Sequence, residues 1–135
     1  MTFDRLDDLL KAPPADLGVT GWSVVEAVSV DAFVEATGFG QRDGTIPSLM
    51  FLSLTNLFMP DLISVPAASN GVNYGADSVR FGPPVKAGNR LRAKGRLTKA
   101  EPAGGGVQTT VEIVVEAEGE KEPVCVVASL SRWMP

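Results

Sequence analysis

The chain has 135 residues and no histidine, so it cannot perform any reaction that needs an imidazole of its own. Its formal net charge of -4 argues against general nucleic-acid binding, which draws most of its affinity from basic residues. The single cysteine, Cys125, excludes an intrachain disulfide and, in the absence of histidine, a structural zinc site of the usual kind. The acidic N-terminus lacks a signal-peptide pattern, and no apolar run reaches the roughly 20 residues of a membrane span, so we expect a soluble, cytoplasmic protein.

The first half of the chain is predicted to be mainly helical. We expect a helix over residues 2–10 capped by Thr2, a strand over residues 22–28, and a helix over residues 30–37. Gly38 is a natural end for that helix. A further helix between Pro47 and Pro60 is apolar all the way round, which predicts that it is buried on every face.

The second half changes to a period of two, which is typical of strands. The predicted strands cover residues 72–81, 89–99, 107–118 and 124–130, as an antiparallel meander of about four strands. The apolar face of this sheet must be buried against another element, and the apolar helix must be surrounded by other elements. The sequence therefore predicts one α+β hot-dog domain over residues 1–135, a curved antiparallel sheet wrapped around a buried central helix.

Several stretches of the chain match a known family. They are residues 17–38, with Trp22 and the ending Ala36-Thr37-Gly38; residues 44–54, with Gly44-Thr45-Ile46 and Leu52-Ser53-Leu54; residues 71–88, with Gly71-Val72-Asn73-Tyr74-Gly75, Val79-Arg80-Phe81, Pro84-Val85 and Gly88; and Gly104-Gly105-Gly106-Val107-Gln108. The whole chain resembles the MaoC-like dehydratases, and most closely their NodN-like branch.

This resemblance implies a dimeric or double hot-dog that hydrates enoyl thioesters or runs the reverse dehydration. The ligand would be an acyl thioester of coenzyme A or of an acyl carrier protein, with no other cofactor and no metal. In the family an Asp and a His activate the water, and a backbone N–H at the start of the central helix polarises the thioester carbonyl.

The chain departs from the family where that chemistry takes place. The Asp that usually follows Ala-Thr-Gly is here Phe39, and the segment that carries the His is reduced to residues 40–43 before Gly44. A second family motif, Ala-His-Gly, appears here as Pro47-Ser48-Leu49. The comparison of motifs therefore predicts that the catalytic Asp and His of standard hydration are absent.

A few polar residues remain as candidates for other chemistry. Asp43 could serve as a repurposed acid or base and Arg42 as an anion or carbonyl contact, but Asp43 could equally be a loop carboxylate at the positive end of the helix. Ser48 could bind a ligand carbonyl or water, or simply hydrogen-bond at the helix start. Leu49 could keep the oxyanion-binding N–H, which needs only backbone.

Three further residues are predicted to line the ligand site, namely Phe39, Asn73 and Tyr74. Tyr74 has a competing interpretation as a half-buried strand aromatic whose hydroxyl is satisfied. Cys125 lies in an apolar strand, which favours a buried structural thiol over a reactive one.

Seven of the chain's 12 lysines and arginines lie between Arg80 and Lys99, with no acidic residue among them. They could meet the phosphates of coenzyme A or an acidic carrier protein. A hairpin turn near residue 103 would instead place Lys94 opposite Glu112 and Arg90 opposite Glu116. That pairing leaves Arg80 and Lys86 unexplained, so both are candidate ligand contacts.

Four functions follow from these observations. The chain could be the non-catalytic subunit of a hydratase or dehydratase heteromer, or an enzyme with changed chemistry, such as an isomerase, cyclase or lyase. It could also bind an acyl thioester or similar hydrophobic ligand without any reaction, and the chain could form a homodimer or a heterodimer with a second hot-dog subunit. Residual (R)-specific enoyl-CoA hydratase activity ranks last.

Overall fold

The computed structural model describes residues 1–135. In the second half of the chain its strands follow the alternation of apolar and polar residues closely. The elements in chain order are α1 (Leu6–Lys11), β1 (Ala15–Val19), β2 (Ser23–Val24), α2 (Ala27–Thr37), α3 (Ser48–Leu62), β3 (Asn70–Phe81), β4 (Arg90–Ala103), β5 (Gly106–Ala117) and β6 (Cys125–Met134). The strands form one six-stranded sheet.

The order of the strands corrects the predicted four-strand meander. Only β4, β5 and β6 form a meander, because β3 pairs with β6 and not with β4, giving the order β1-β4-β5-β6-β3 with β2 beside β4. Pro83 and Pro84 follow β3, and the chain then passes along the loop before α3, where the Ile46 N–H donates to the Val85 carbonyl at 2.8 Å. This connection replaces a hairpin turn, so β3 stays at the far edge of the sheet.

The sheet curves around α3, which confirms the hot-dog arrangement. Phe58 and Leu62 of α3 are 1% and 0% exposed and pack into the apolar face of the sheet. Gly95 of β4 allows this approach, because a Cβ at that position would lie only 2.9 Å from a methyl group of Leu62. No helix of the structure combines the length and apolar character that crossing a bilayer requires.

The central helix is not buried on every face, contrary to the prediction. Leu49 and Leu57 are 42% and 53% exposed, although Met50 and Phe51 beside them are buried. The sheet covers only one side of α3, and no other element of the chain covers the opposite side. An apolar pattern around the whole helix therefore leaves an apolar surface on the folded chain.

The helices and strands of the first half begin at other residues than predicted. Thr2 does not cap α1, because residues 2 and 3 run beside the segment after α3 and the Phe3 N–H donates to the Ser64 carbonyl at 2.9 Å. α2 begins at Ala27 and absorbs the end of the predicted strand over residues 22–28. β1 was not predicted, since it is short and contains one buried residue, Leu17. Gly38 ends α2 in the left-handed conformation, as predicted.

The predicted register between β4 and β5 is wrong by two residues. Arg92 lies opposite Glu116 and Arg96 opposite Glu112, because the turn lies at residues 104–105 and a bulge follows Leu97. Charge pairing still forms across the hairpin: Glu116 accepts from Arg92 at 2.9 Å and from Lys94 at 2.7 Å. The hydrogen bonds from Lys94 and Arg92 hold the pKa of Glu116 below its ordinary value. Most of the basic stretch thus belongs to a paired surface.

Candidate functional site

A cleft of about 370 Å³ opens at the N-terminus of α3, and we call it the helix-start cleft. It lies between the loop that joins α2 to α3, the end of β3 and the start of β6. Its apolar lining side chains include Phe39, Ile46, Pro47, Phe51, Phe81 and Val124, and its polar ones are Gln41, Asp43, Thr45 and Ser48.

The loop that forms this cleft is fixed by its backbone. The Ala87 N–H donates to the Gly44 carbonyl at 2.7 Å, next to the bond between Ile46 and Val85. Gly40 adopts a φ of +112°, and a Cβ there would lie 2.7 Å from the ring of Pro47, so only glycine fits. The short loop therefore has a defined shape, although most of its side chains are exposed.

The start of α3 presents free backbone donors at the cleft. Pro47 precedes the helix and provides no side-chain cap, and the first hydrogen bond runs from the Met50 N–H to the Pro47 carbonyl at 2.9 Å. The N–H groups of Ser48 and Leu49 have no acceptor within the chain, and of these two residues Ser48 lines the cleft whereas Leu49 does not. Free N–H groups at the positive end of a helix favour a partly negative oxygen, such as a polarised thioester carbonyl.

Asp43 lines this cleft, but its carboxylate is occupied locally. One oxygen accepts from the Thr45 backbone N–H at 2.9 Å, and the other lies 3.7 Å from the Lys86 ammonium. The hydrogen bonds from Thr45, together with the charge of Lys86, hold the pKa of Asp43 below its ordinary value. A carboxylate stabilised in this way is a weak base, so the geometry favours a structural role, and catalysis by Asp43 remains a prediction.

Two other candidates of the loop lie apart in the structure. Arg42 pairs with Glu35 of α2 at 3.6 Å, with both side chains mostly exposed, and does not line the cleft. Phe39, at the position matched to the family's Asp, lies in the cleft with Phe51 and Phe81. The structure therefore brings Phe39, Asp43 and Ser48 together, with Phe39 forming part of an aromatic wall.

Asn73 and Tyr74 lie in a second depression, which we call the strand groove. It has a volume of about 360 Å³ and runs between the next turns of α3, the edge strand β3 and β6. The Asn73 amide donates to the Asn56 amide oxygen of α3 at 2.6 Å. Tyr74 is 54% exposed and lies under the Arg132 guanidinium at 3.7 Å, so about half of the side chain is covered.

The strand groove contains residues that the sequence analysis missed. Asn56 and Thr55 come from α3, and Ser129 comes from β6. Asn56 gave a signal, since it is an amide within an otherwise apolar helix. Ser129 gave none, because a serine in an alternating strand is equally common on either face.

The two candidate phosphate contacts, Lys86 and Arg80, have different surroundings. Lys86 donates to the Asp43 carbonyl and to the Thr45 hydroxyl, each at 3.0 Å, so it anchors the loop of the helix-start cleft. Arg80 lines a shallow depression with Glu122 and Val126, which adjoins the helix-start cleft at Phe81, and takes part in no ion pair of the structure.

The remaining reactive groups are few. Cys125 is buried in β6, and burial raises the pKa of its thiol to about 11, which makes it an inert structural residue. The structure contains no group of three His, Cys, Asp or Glu side chains that could hold a metal ion.

Comparison with known proteins gives relatives over the whole length of the chain. It is 32% identical to 3-hydroxyacyl-thioester dehydratase Z of Mycobacterium tuberculosis over 148 aligned positions, which cover 98% of each protein. It is 31% identical to Nodulation protein N of Rhizobium leguminosarum, over 80% of this chain and 78% of that protein. No protein-family model matches the sequence.

Solved structures show the same fold at low sequence identity. A MaoC-like dehydratase from Rhodospirillum rubrum superposes with a TM-score of 0.70 at 13% identity, covering 90% of this chain and 91% of that one. Two Mycobacterium tuberculosis complexes also match. The ChsH1-ChsH2 complex has a TM-score of 0.64 at 15% identity and coverages of 90% and 97%. The HadBC 3R-hydroxyacyl-ACP dehydratase complex has a TM-score of 0.67 at 13% identity and coverages of 89% and 96%.

Proposed function

We propose a function from one premise, that the chain belongs to the MaoC-like dehydratase family, as its 32% identity to dehydratase Z over nearly its whole length shows. It binds an acyl thioester in the helix-start cleft and does not by itself add or remove water. It acts as the non-catalytic subunit of a hydratase or dehydratase heteromer whose second hot-dog subunit supplies the catalytic base.

The observation that carries this proposal is the composition of the helix-start cleft. The free N–H group of Ser48 can receive a thioester carbonyl, and aromatic side chains can receive an acyl chain. The same cleft contains no group suited to activate water, because the chain has no histidine and its one lining carboxylate, Asp43, has a lowered pKa.

The lengths of the aligned proteins support the loss of a segment. The alignment with dehydratase Z has 148 positions against 135 residues in this chain, which leaves at least 13 positions that this chain does not fill. The motif resemblance predicts that one shortening lies at residues 40–43, in the segment expected to carry the family's His. A lost segment is harder to compensate than a single substitution, which favours a binding role.

The edge strand β3 supports a partner. It has 12 residues, pairs only with β6 and is exposed at nearly every position, so its outer backbone groups are open to another chain. Phe81 of this strand lines the helix-start cleft, and Asn73 lines the strand groove. A subunit that pairs with β3 therefore lies next to both depressions, where it can contribute side chains. The ChsH1-ChsH2 and HadBC neighbours are complexes of two named components.

The test combines an activity assay with the native assembly. The purified chain is assayed for hydration of crotonyl-CoA, with dehydratase Z as the positive control, and we expect no rate above background. The assembly isolated from its own cells is then weighed by native mass spectrometry, and we expect a second hot-dog subunit that contains histidine.

Each result bears on a separate part of the proposal. A genuine hydration rate for the pure chain would show that a group of this chain activates water. Isolation as a homodimer alone would overturn the role in a heteromer. Failure of octanoyl-CoA to bind, measured by calorimetry on the chain and on the assembly, would overturn acyl-thioester binding itself.

A further inference from the structure

The strand groove has a mainly apolar surface but carries several polar side chains. The residues that line it include Ser53, Thr55, Asn56, Asn73 and Ser129 beside a smaller number of apolar side chains. A channel for a plain alkyl chain is lined by apolar groups, because an unpaired polar group next to hydrocarbon costs free energy.

Ser129 is the most informative of these residues. It is 8% exposed, and its side chain faces the inner side of the sheet, as does that of Val127 two residues earlier. Its hydroxyl takes part in no hydrogen bond within the chain. Since no fully buried polar atom of the structure lacks a partner, this oxygen must reach the surface of the groove. A largely buried hydroxyl left free in this way is suited to a hydrogen bond with a ligand.

The side-chain amides of Asn56 and Asn73 on the opposite wall of the groove provide further hydrogen-bonding groups. The bond from Asn73 to Asn56 uses one donor hydrogen and one acceptor oxygen. Each amide has further donor and acceptor positions, so both can bind a hydroxyl or carbonyl oxygen without breaking the pair. The groove therefore offers hydrogen-bonding groups from α3, β3 and β6 around one space.

The position of the groove relates it to the helix-start cleft. The cleft is lined by Ser48 and Phe51 and the groove by Leu52, Thr55 and Asn56, so the two depressions follow each other along one side of α3. Ser48 and Asn56 are eight residues apart, which is about 12 Å along the helix axis. An acyl chain of medium length whose thioester carbonyl lies at the helix start reaches this distance.

We propose that the strand groove selects acyl thioesters that carry an oxygen substituent, a hydroxyl or an oxo group, on the distal part of the acyl chain. Ser129 and the amide pair Asn56–Asn73 bind that oxygen. This inference rests on the proposed function, because it takes the thioester to be bound at the start of α3.

The test measures affinities by calorimetry with the full-length chain. The ligands are octanoyl-CoA, its ω-hydroxy derivative and its distal oxo derivative. We expect the wild type to bind at least one oxygenated ligand about five- to tenfold more tightly than octanoyl-CoA, which corresponds to one net hydrogen bond. Ser129→Ala should reduce this preference to less than about twofold, since the variant lacks the hydroxyl.

Two further variants control the experiment. Ser131 lies two residues along β6, is 5% exposed and does not line the groove, so Ser131→Ala should keep the preference. Asn56→Ala changes an exposed position of α3, where folding is not at risk, and should weaken the preference as well.

The outcomes separate the two proposals. Equal or weaker binding of both oxygenated ligands by the wild type, with octanoyl-CoA still bound, overturns this inference and leaves the proposed function intact. An unchanged preference in a folded Ser129→Ala variant also overturns it. Absence of binding for all three ligands, both to the chain and to the native assembly measured in the same way, overturns both proposals.

Discussion

Truncation of Phe51 separates the role of α3 in the fold from its role in the site. Phe51 is 3% exposed and lines the helix-start cleft, whereas Phe58 is 1% exposed and does not line it. Phe→Ala in a core costs about 3–5 kcal/mol, and the cost depends on the cavity that remains. Space vacated by Phe51 joins an open cleft that water can enter, so we expect about 3 kcal/mol for Phe51→Ala and more than about 4 kcal/mol for Phe58→Ala.

These free energies translate into melting temperatures. An unfolding entropy of about 2.1 cal/mol/K per residue gives about 0.28 kcal/mol/K for a chain of 135 residues. Each kcal/mol then lowers Tm by about 3.5 °C, so Phe51→Ala should lower it by about 10 °C and Phe58→Ala by more than about 14 °C. Thermal unfolding followed by circular dichroism measures both shifts at one protein concentration.

Ligand affinity provides the decisive comparison. Phe51→Ala removes an aromatic contact from the cleft, so octanoyl-CoA should bind about fivefold or more weakly, in line with the loss of apolar area. Phe58→Ala should leave the affinity unchanged below its melting temperature. If the two variants affect affinity equally, or if Phe51→Ala leaves it unchanged, the cleft is not where the acyl chain binds.

Three smaller predictions follow from single contacts. Asp43 has a lowered pKa, so its carboxylate stabilises the fold above the ordinary carboxyl pKa and loses this effect as the pH falls through the folded value; Asp43→Ala should melt below the wild type at neutral pH, and the difference should shrink in acid. Cys125 should resist iodoacetamide at pH 8 in the native protein and react fully in denaturant, since burial raises its pKa to about 11. Gly95→Ala should cost about 1–3 kcal/mol, because its Cβ would lie 2.9 Å from Leu62, whereas Gly75→Ala, with no atom within 4 Å, should cost far less; equal Tm values would contradict this packing.

The sequence predicted those parts of the fold that depend on local pattern. The alternation of β4 and β5 and the apolar run of α3 each identify an element, because burial on one face imposes a period. Local pattern could not predict that β3 pairs with β6, nor the correct register between β4 and β5. Both depend on where the chain turns, and neither the long connection after Phe81 nor the bulge after Leu97 has a signature in residue type.

The sequence predicts site residues that are recognised by their type and motif. It does not predict contacts between residues that are far apart in the chain. Phe39 and Ser48 were candidate site residues because they match the positions of an Asp and a His of the family, and the structure brings them together. The pairing of Lys86 with Asp43 joins residues 43 positions apart, which no spacing rule predicts. Ser129 was missed because its importance comes from a neighbouring space and not from its own side chain.

The two halves of the chemistry of this family differ in what they require from a sequence. A carbonyl can be polarised by backbone N–H groups at a helix start, and these persist through any substitution that keeps the helix, as they do at Ser48 and Leu49. Activation of water needs a particular side chain with a suitable pKa, and a single deletion removes it. A chain that is not required to catalyse the reaction itself therefore loses water activation before carbonyl polarisation. It keeps carbonyl polarisation as long as the helix folds. The helix-start cleft is consistent with the proposed function, since the Ser48 N–H is free and Phe39 forms part of an aromatic wall. Under that proposal, any reaction in this cleft uses a base that reaches it across the open edge of β3.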